Sequence, residues 1–197
     1  ADAAGQERAA VAEALYAMLK RRRALPSHRA VAYRCRRGCL LADVLTTPRG
    51  YAIDLDVPWM RDGAKTLNYA LTMAALRWAG EQGADDIIYI DPETGRVLEG
   101  ATSSVIMVKK GGRLRTPAPG PGVMAGTTQA ALFELASSEG WKCKAKDIYH
   151  GELLKAEAVW LVSSTRIATR VKRLDGTKLP APDNESEIRE LIYRAVN

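Results

Sequence analysis

The chain has 197 residues, 29 Lys+Arg against 23 Asp+Glu for a formal net charge of +6, 47% hydrophobic residues and 26% charged ones. This composition excludes a disordered, collagen-like or coiled-coil chain, and the length suits one large domain or one and a half small ones. No apolar run reaches the about 18 residues that span a bilayer, and Ala1–Gly5 lacks the basic region and apolar stretch of a secretory signal, so no membrane partner and a cytoplasmic location are expected.

Residues 6–23 read as an amphipathic helix. Val11, Leu15 and Leu19 recur every four residues, thickened by Ala10, Ala14 and Met18, and Leu25-Pro26-Ser27 ends the pattern. The basic run Lys20–Arg23 falls at that helix end, where cations are favoured. Neither it nor Arg34-Cys35-Arg36-Arg37 comes with a nucleic-acid motif, so no nucleic acid is expected as partner. Ala30–Tyr33 suggests a short strand. Leu40–Val57 leans to β-structure, broken by the turn signal Thr46-Thr47-Pro48-Arg49-Gly50, and residues 58–63 form a loop.

From Thr66 the period changes. Leu67, Ala70, Leu71, Ala74, Ala75 and Trp78 predict a helix that ends at Gly80 or Gly83. Strands are expected over 86–90, 96–100 and 104–108, with a turn over 91–95. Lys109-Lys110-Gly111-Gly112 is a hairpin turn into Arg113–Thr116. A Pro/Gly-rich loop, 117–122, precedes a helix capped by Thr127/Thr128. A strand over 142–148, a short helix over 151–155 and an apolar strand over 158–162 follow. An Asp175-Gly176 turn and a helix from Asn184 to Val196 complete the chain. Strands and helices mix without a strict βαβ repeat, which favours an α+β or pseudo-barrel domain. There is no internal repeat or flexible linker.

The three cysteines, Cys35, Cys39 and Cys143, cannot all pair. Cys35-x3-Cys39 lacks a second Cys/His pair, because His28 and His150 stand apart, so the expectation is free thiols and no metal.

Four features are candidates for chemistry. Lys65, among small residues at the mouth of an apolar helix, is either an exposed first-turn lysine or a desolvated amine suited to a Schiff base. Glu99, in the apolar run Val97-Leu98-Glu99-Gly100, needs a cationic or donor partner, and an arginine or a protonated pyridine nitrogen would serve. Gly126-Thr127-Thr128 is a helix start, readable as plain threonine capping or as an anion cradle. Ser163-Ser164-Thr165 at a strand end is an ordinary turn or a second donor set. Together they describe a site for pyridoxal phosphate. No phosphate loop, dinucleotide fingerprint, nucleophile elbow or HExxH motif occurs.

Lys65-Thr66-Leu67-Asn68-Tyr69, Gly95–Gly100, Ser103-Ser104, Gly126-Thr127-Thr128-Gln129 and Ser163-Ser164-Thr165, in that order, resemble the class-IV aminotransferase family, the fold-type-IV pyridoxal-phosphate enzymes. The likeness runs from about Trp59 to Gly176, and within the family it is nearest to 4-amino-4-deoxychorismate lyase and its actinobacterial aminotransferase-like relatives. The resemblance implies pyridoxal 5′-phosphate held covalently by Lys65, which then serves as the proton-transferring base. It implies Glu99 on the pyridine nitrogen and Tyr69 on the phenolic oxygen. Thr127, Thr128, Ser164 and Thr165 would hold the phosphate. Arg34, Arg36 or Arg37 would be available to a substrate carboxylate.

The implied activity is a lyase that converts aminodeoxychorismate to 4-aminobenzoate and pyruvate. The alternative is an aminotransferase for branched-chain or D-amino acids, and a catalytically silent binding protein of the same fold is more distant. The resemblance also implies a homodimer. Family members carry a small α/β domain ahead of the large one, with an arginine on the phosphate, and here Lys65 comes too early for a whole small domain to precede it. The expectation is therefore that 1–27 form the last helix of a largely missing small domain and its linker, and 28–197 the large cofactor-binding domain. Residues 39–50 fit the family pattern poorly.

Overall fold

The structure is a computed structural model that describes residues 40–49 and 70–196. The expected elements over 6–23, 30–33 and 58–63 lie outside the described residues. Among the described residues, nine strands form one sheet in the order β3-β2-β1-β8-β7-β4-β5-β6, with β9 added to β8. In chain order the strands are β1 (Leu40–Pro48), β2 (Asp86–Ile90), β3 (Val97–Gly100), β4 (Ser104–Lys109), β5 (Arg113–Thr116), β6 (Lys142–Ala145), β7 (Ala158–Ser163), β8 (Ile167–Leu174) and β9 (Thr177–Lys178). The helices are α1 (Ala70–Glu81), α2 (Thr127–Ser138), α3 (His150–Leu154) and α4 (Glu185–Arg194).

The sheet is mixed. β1 runs parallel to both β2 and β8, and β5 parallel to β6, with α1 and α2 in the connections that reverse the chain. The remaining pairs are antiparallel. This strand-dominated α+β architecture is the expected class. No helix among the described residues is long and apolar enough to cross a membrane.

Register explains the two apolar layers. Ile106, Trp160 and Arg170 pair in one row across β4, β7 and β8. Ile106 and Trp160 pack against Leu132 and Ala136 of α2 and Ile188, Leu191 and Ile192 of α4. The neighbouring row, Val105 and Leu161, points to the other face and joins Ala42, Val44, Ile88 and Val171 with Ile148 and Leu153 around α3. A third cluster, Ala79, Ile87, Tyr89, Leu98 and Val123, lies under α1. Arg189 of α4 stands over the Trp160 ring, 5.8 Å from its centroid. Cys143 is a free thiol beside this layer, and burial pushes its thiol up against smaller opposing pulls from Ser137 and Arg115, which makes it a poor nucleophile.

Three expectations need correction. The turn signal at Thr46–Gly50 does not break β1, which runs through Pro48. Both threonines suit a pleated strand, Pro48 falls on its last residue, and Arg49 N still donates to Ile90 O at 3.1 Å. Thr127 and Thr128 do not cap α2: Gly126 is the cap residue, with extended backbone and no side-chain capping bond. The strand expected over 142–148 stops at Ala145.

β8 goes unrecognised in the sequence because three of its eight residues are basic. One of them, Arg170, is buried by pairing with Glu185 at 2.9 Å and donating to the Pro180 carbonyl. By contrast, α1 ends as expected, with Gly83 in the left-handed region at φ 79° and Ala84 N bonded back to Ala79 O. Asp175 also turns the chain with positive φ, accepting from Thr46 N and Thr46 Oγ1 and lying 2.8 Å from His150 Nε2.

Among the described residues, Trp160 is the largest side chain wholly enclosed between sheet and helices. Trp160→Ala should lower unfolding free energy by about 3–5 kcal/mol, read from the urea midpoint. A shift under about 1 kcal/mol would contradict this account of the helix-side core.

Candidate functional site

Glu99 lies near the end of β3, between buried Leu98 and Gly100, and its side chain is 19% exposed. A carboxylate in such a place needs donors, and Arg49 and Met124 supply two of them. Arg49 Nη2 donates to Oε1 at 3.2 Å, and Met124 N to Oε2 at 3.0 Å. Arg49 leaves the end of β1, crosses the Tyr89 ring at 5.4 Å and places its other arm, Nη1, 2.5 Å from the Gly122 carbonyl. One guanidinium thus ties β1, β3 and the Gly122–Met124 loop together. The arginine partner considered for Glu99 is therefore present.

Two residues beyond Met124 the chain reaches Gly126 and enters α2. A β-carbon at Gly126 would stand 2.3 Å from Ser104 Oγ, so the amino end of α2 rests directly on the start of β4. Ser104 is in register with Val162, one residue before Ser163 at the end of β7. Gly126-Thr127-Thr128, Ser103-Ser104 and Ser163-Ser164-Thr165 therefore gather at one end of the sheet, with Glu99 joined to them through Met124.

The donors there are partly committed. Ser163 Oγ accepts from Arg166 N at 3.2 Å and lies 3.4 Å from Thr165 Oγ1. Ser164, Thr165 and Thr127 are exposed, and Thr128 is buried. The first N–H groups of α2 have no intrahelical acceptor and no capping side chain. Among the described residues, the buried Ser103 Oγ has no hydrogen-bond partner. Uncapped N–H groups, hydroxyls and a helix dipole suit a phosphate-like anion. The Glu99 carboxylate, beside them, suits a ring N–H or another cationic donor.

Lys65 and Tyr69 lie outside the described residues, as do Arg34, Arg36 and Arg37. Glu99, Thr127, Thr128, Ser164 and Thr165 lie within them, in the arrangement above. Arg49 and Arg166 are the residues that sequence reasoning missed. In the sequence Arg49 falls inside an apparent turn. Its available signal is a cation directly after a β-leaning run, in a chain whose apolar run Val97–Gly100 carries a glutamate that needs a donor.

The model of the family described as amino-transferase class IV matches residues 44–174. This chain belongs to the class IV aminotransferases. It is 39% identical over 160 residues to a bifunctional aminodeoxychorismate lyase / D-amino acid transaminase from Mycobacterium tuberculosis, a match covering 77% of this chain and 55% of that protein. A solved M. tuberculosis structure, a hypothetical aminotransferase in its PLP-bound form, is 38% identical with a TM-score of 0.75, covering 82% of this chain and 57% of the other. A fold IV-transaminase from Curtobacterium pusillum is 40% identical with a TM-score of 0.71, covering 80% and 52%. This class IV chain spans about half the length of those relatives.

The Arg49–Glu99 pair can be tested by a double-mutant cycle. Glu99→Gln offers one acceptor where two donors converge, so an amide N–H must face either Arg49 or Met124 N. Arg49→Met removes one of those donors. The double variant should therefore be less destabilised than the sum of the single variants by about 1–2 kcal/mol, measured by urea unfolding. Simple additivity would mean that the two side chains do not interact.

Proposed function

We propose that this chain is the cofactor-binding part of a pyridoxal 5′-phosphate enzyme, with residues 28–197 as the large domain and 1–27 as the last helix and linker of a small one. The reading that fits best is a 4-amino-4-deoxychorismate lyase, which releases pyruvate as the ring becomes aromatic, leaving 4-aminobenzoate. The second reading is an aminotransferase for D- or branched-chain amino acids. It is favoured by the mycobacterial relative, whose name joins both activities, and by a chloroplastic branched-chain-amino-acid aminotransferase from Arabidopsis thaliana that is 30% identical over 110 residues.

The observation that supports the cofactor is the run from Glu99 through Met124 to Gly126. It joins a carboxylate to an uncapped helix start across two residues of backbone. The cofactor presents a ring nitrogen and a phosphate, and these residues match both ends. Thr127, Thr128, Ser164 and Thr165 would hold the phosphate. Glu99, kept in place by Arg49, would accept the ring N–H. Tyr69 would donate to the phenolic oxygen. When bound, the cofactor supplies an electron sink for the pair left as a bond to the substrate α-carbon breaks. Lys65 would anchor the cofactor, then use Nζ to take the α-proton and return it. The phosphate is remote from the reacting carbon, so the energy of holding it serves orientation. Catalysis and recognition by a homodimer of the whole protein are part of this proposal.

Borohydride treatment of protein mixed with pyridoxal phosphate should fix the label on the peptide containing Lys65, and Lys65→Ala should abolish that label. A label that persists in the variant would remove Lys65 from its role. Glu99→Gln should retain uptake but slow turnover on the order of a hundredfold. Formation of fluorescent 4-aminobenzoate against transfer of the amino group to a 2-oxo acid decides between lyase and aminotransferase.

A further inference from the structure

The turn joining β7 to β8 is held from a distance. Ser163 pairs with Ile167, which leaves Ser164–Arg166 as the connection. Ile167 has φ 61°, a region that a β-branched residue enters only when its surroundings force it. Arg166 N donates to Ser163 Oγ, and Ala168 N donates to Arg166 O at 2.8 Å, which closes the turn locally.

The Arg166 side chain leaves the turn altogether. Nη1 donates to Asp86 Oδ2 at 2.5 Å, and Nη2 donates to Thr102 Oγ1 at 3.1 Å. Asp86 is fully buried at the start of β2, and its Oδ1 accepts from Ile87 N at 2.8 Å. The Arg166 side chain is only 10% exposed. Thr102 belongs to the turn between β3 and β4, which also carries Ser103 with its unmatched Oγ and leads into Ser104, the seat of Gly126. One fork therefore spans both hydroxyl-bearing turns. A lysine ammonium, a single point of charge, cannot reproduce that planar two-armed grip.

We propose that Arg166 is a positioning residue for the anion cradle, fixing the Ser163–Thr165 turn against the Thr102–Ser104 turn so that both keep one place relative to the amino end of α2. This inference rests on the pyridoxal phosphate reading above. Asp86 matches the charge of the guanidinium, so the bracket acts through geometry, and the phosphate end of a ligand is the end that registers its loss.

The test is equilibrium binding of pyridoxal 5′-phosphate and of pyridoxal, which lacks the phosphate, to the full chain and to the variants Arg166→Lys and Thr102→Val. Thr102→Val leaves the buried ion pair intact and serves even where Arg166→Lys folds poorly. Both variants should lose about tenfold in affinity for the phosphorylated compound and less than about twofold for pyridoxal, the loss expected for one hydrogen bond's worth of positioning. Equal losses for the two compounds, or none for either, would overturn the assignment while leaving the cofactor reading intact. An unaltered chain that binds neither compound overturns the cofactor reading, and the role of Arg166 with it.

Discussion

The carboxylate of Glu99 stands mostly out of water, and a charge so placed must be met by donors. That requirement organises what lies around it. It draws Arg49 inward from the end of β1, across the Tyr89 ring. It also fixes the Gly122–Met124 loop, because Glu99 and Arg49 both take partners from that loop's backbone. Once Met124 is fixed, Gly126 has little choice of position, and α2 starts against Ser104. A single desolvated oxygen pair thus sets the geometry of the loop, the helix start and the end of the sheet.

The sheet makes this possible by mixing two kinds of connection. Antiparallel pairing builds its centre, where β4, β7 and β8 are packed on both faces. Helical crossovers build its flanks, through α1 into β2 and through α2 into β6. The β7–β8 hairpin places a short polar turn at one end of a rigid core, and a crossover delivers a helix start to the same place. Function-bearing loops on an immobile scaffold are a common arrangement. Here the scaffold's rigidity comes from side chains such as Trp160 and Ile106, which have no room to move.

Much of this architecture is legible along the chain, and the failures have physical causes. β2, β4 and β7 are nearly continuous apolar runs, because both of their faces are covered, and such runs read plainly. β8 hides behind Arg170, Lys172 and Arg173, since an arginine buried by a glutamate from α4 looks like any exposed cation in a string of letters. The threonines after Gly126 suggest capping, yet the close approach of Ser104 gives the cap position to a residue without a side chain. The order of Glu99, the Thr127-Thr128 segment and the Ser163–Thr165 segment is visible in sequence, but their meeting is not. Arg49 and Arg166 are invisible for a related reason: their partners are 50 and 80 positions away. Lys65 and Tyr69 are read from sequence alone.

Those separations bear on how the molecule forms. Bonds that close long stretches of chain cost entropy before they return anything, and parallel pairings cannot be seeded by a tight turn. The β4–β5 and β7–β8 hairpins are local and can form early. β1 must then find β8 across more than a hundred residues, as the bond between Thr46 and Asp175 records with a separation of 129. Arg49 and Arg166 reach their carboxylates only after such pairings exist. The ion pairs of the site can therefore close only once those long-range pairings bring their partners together.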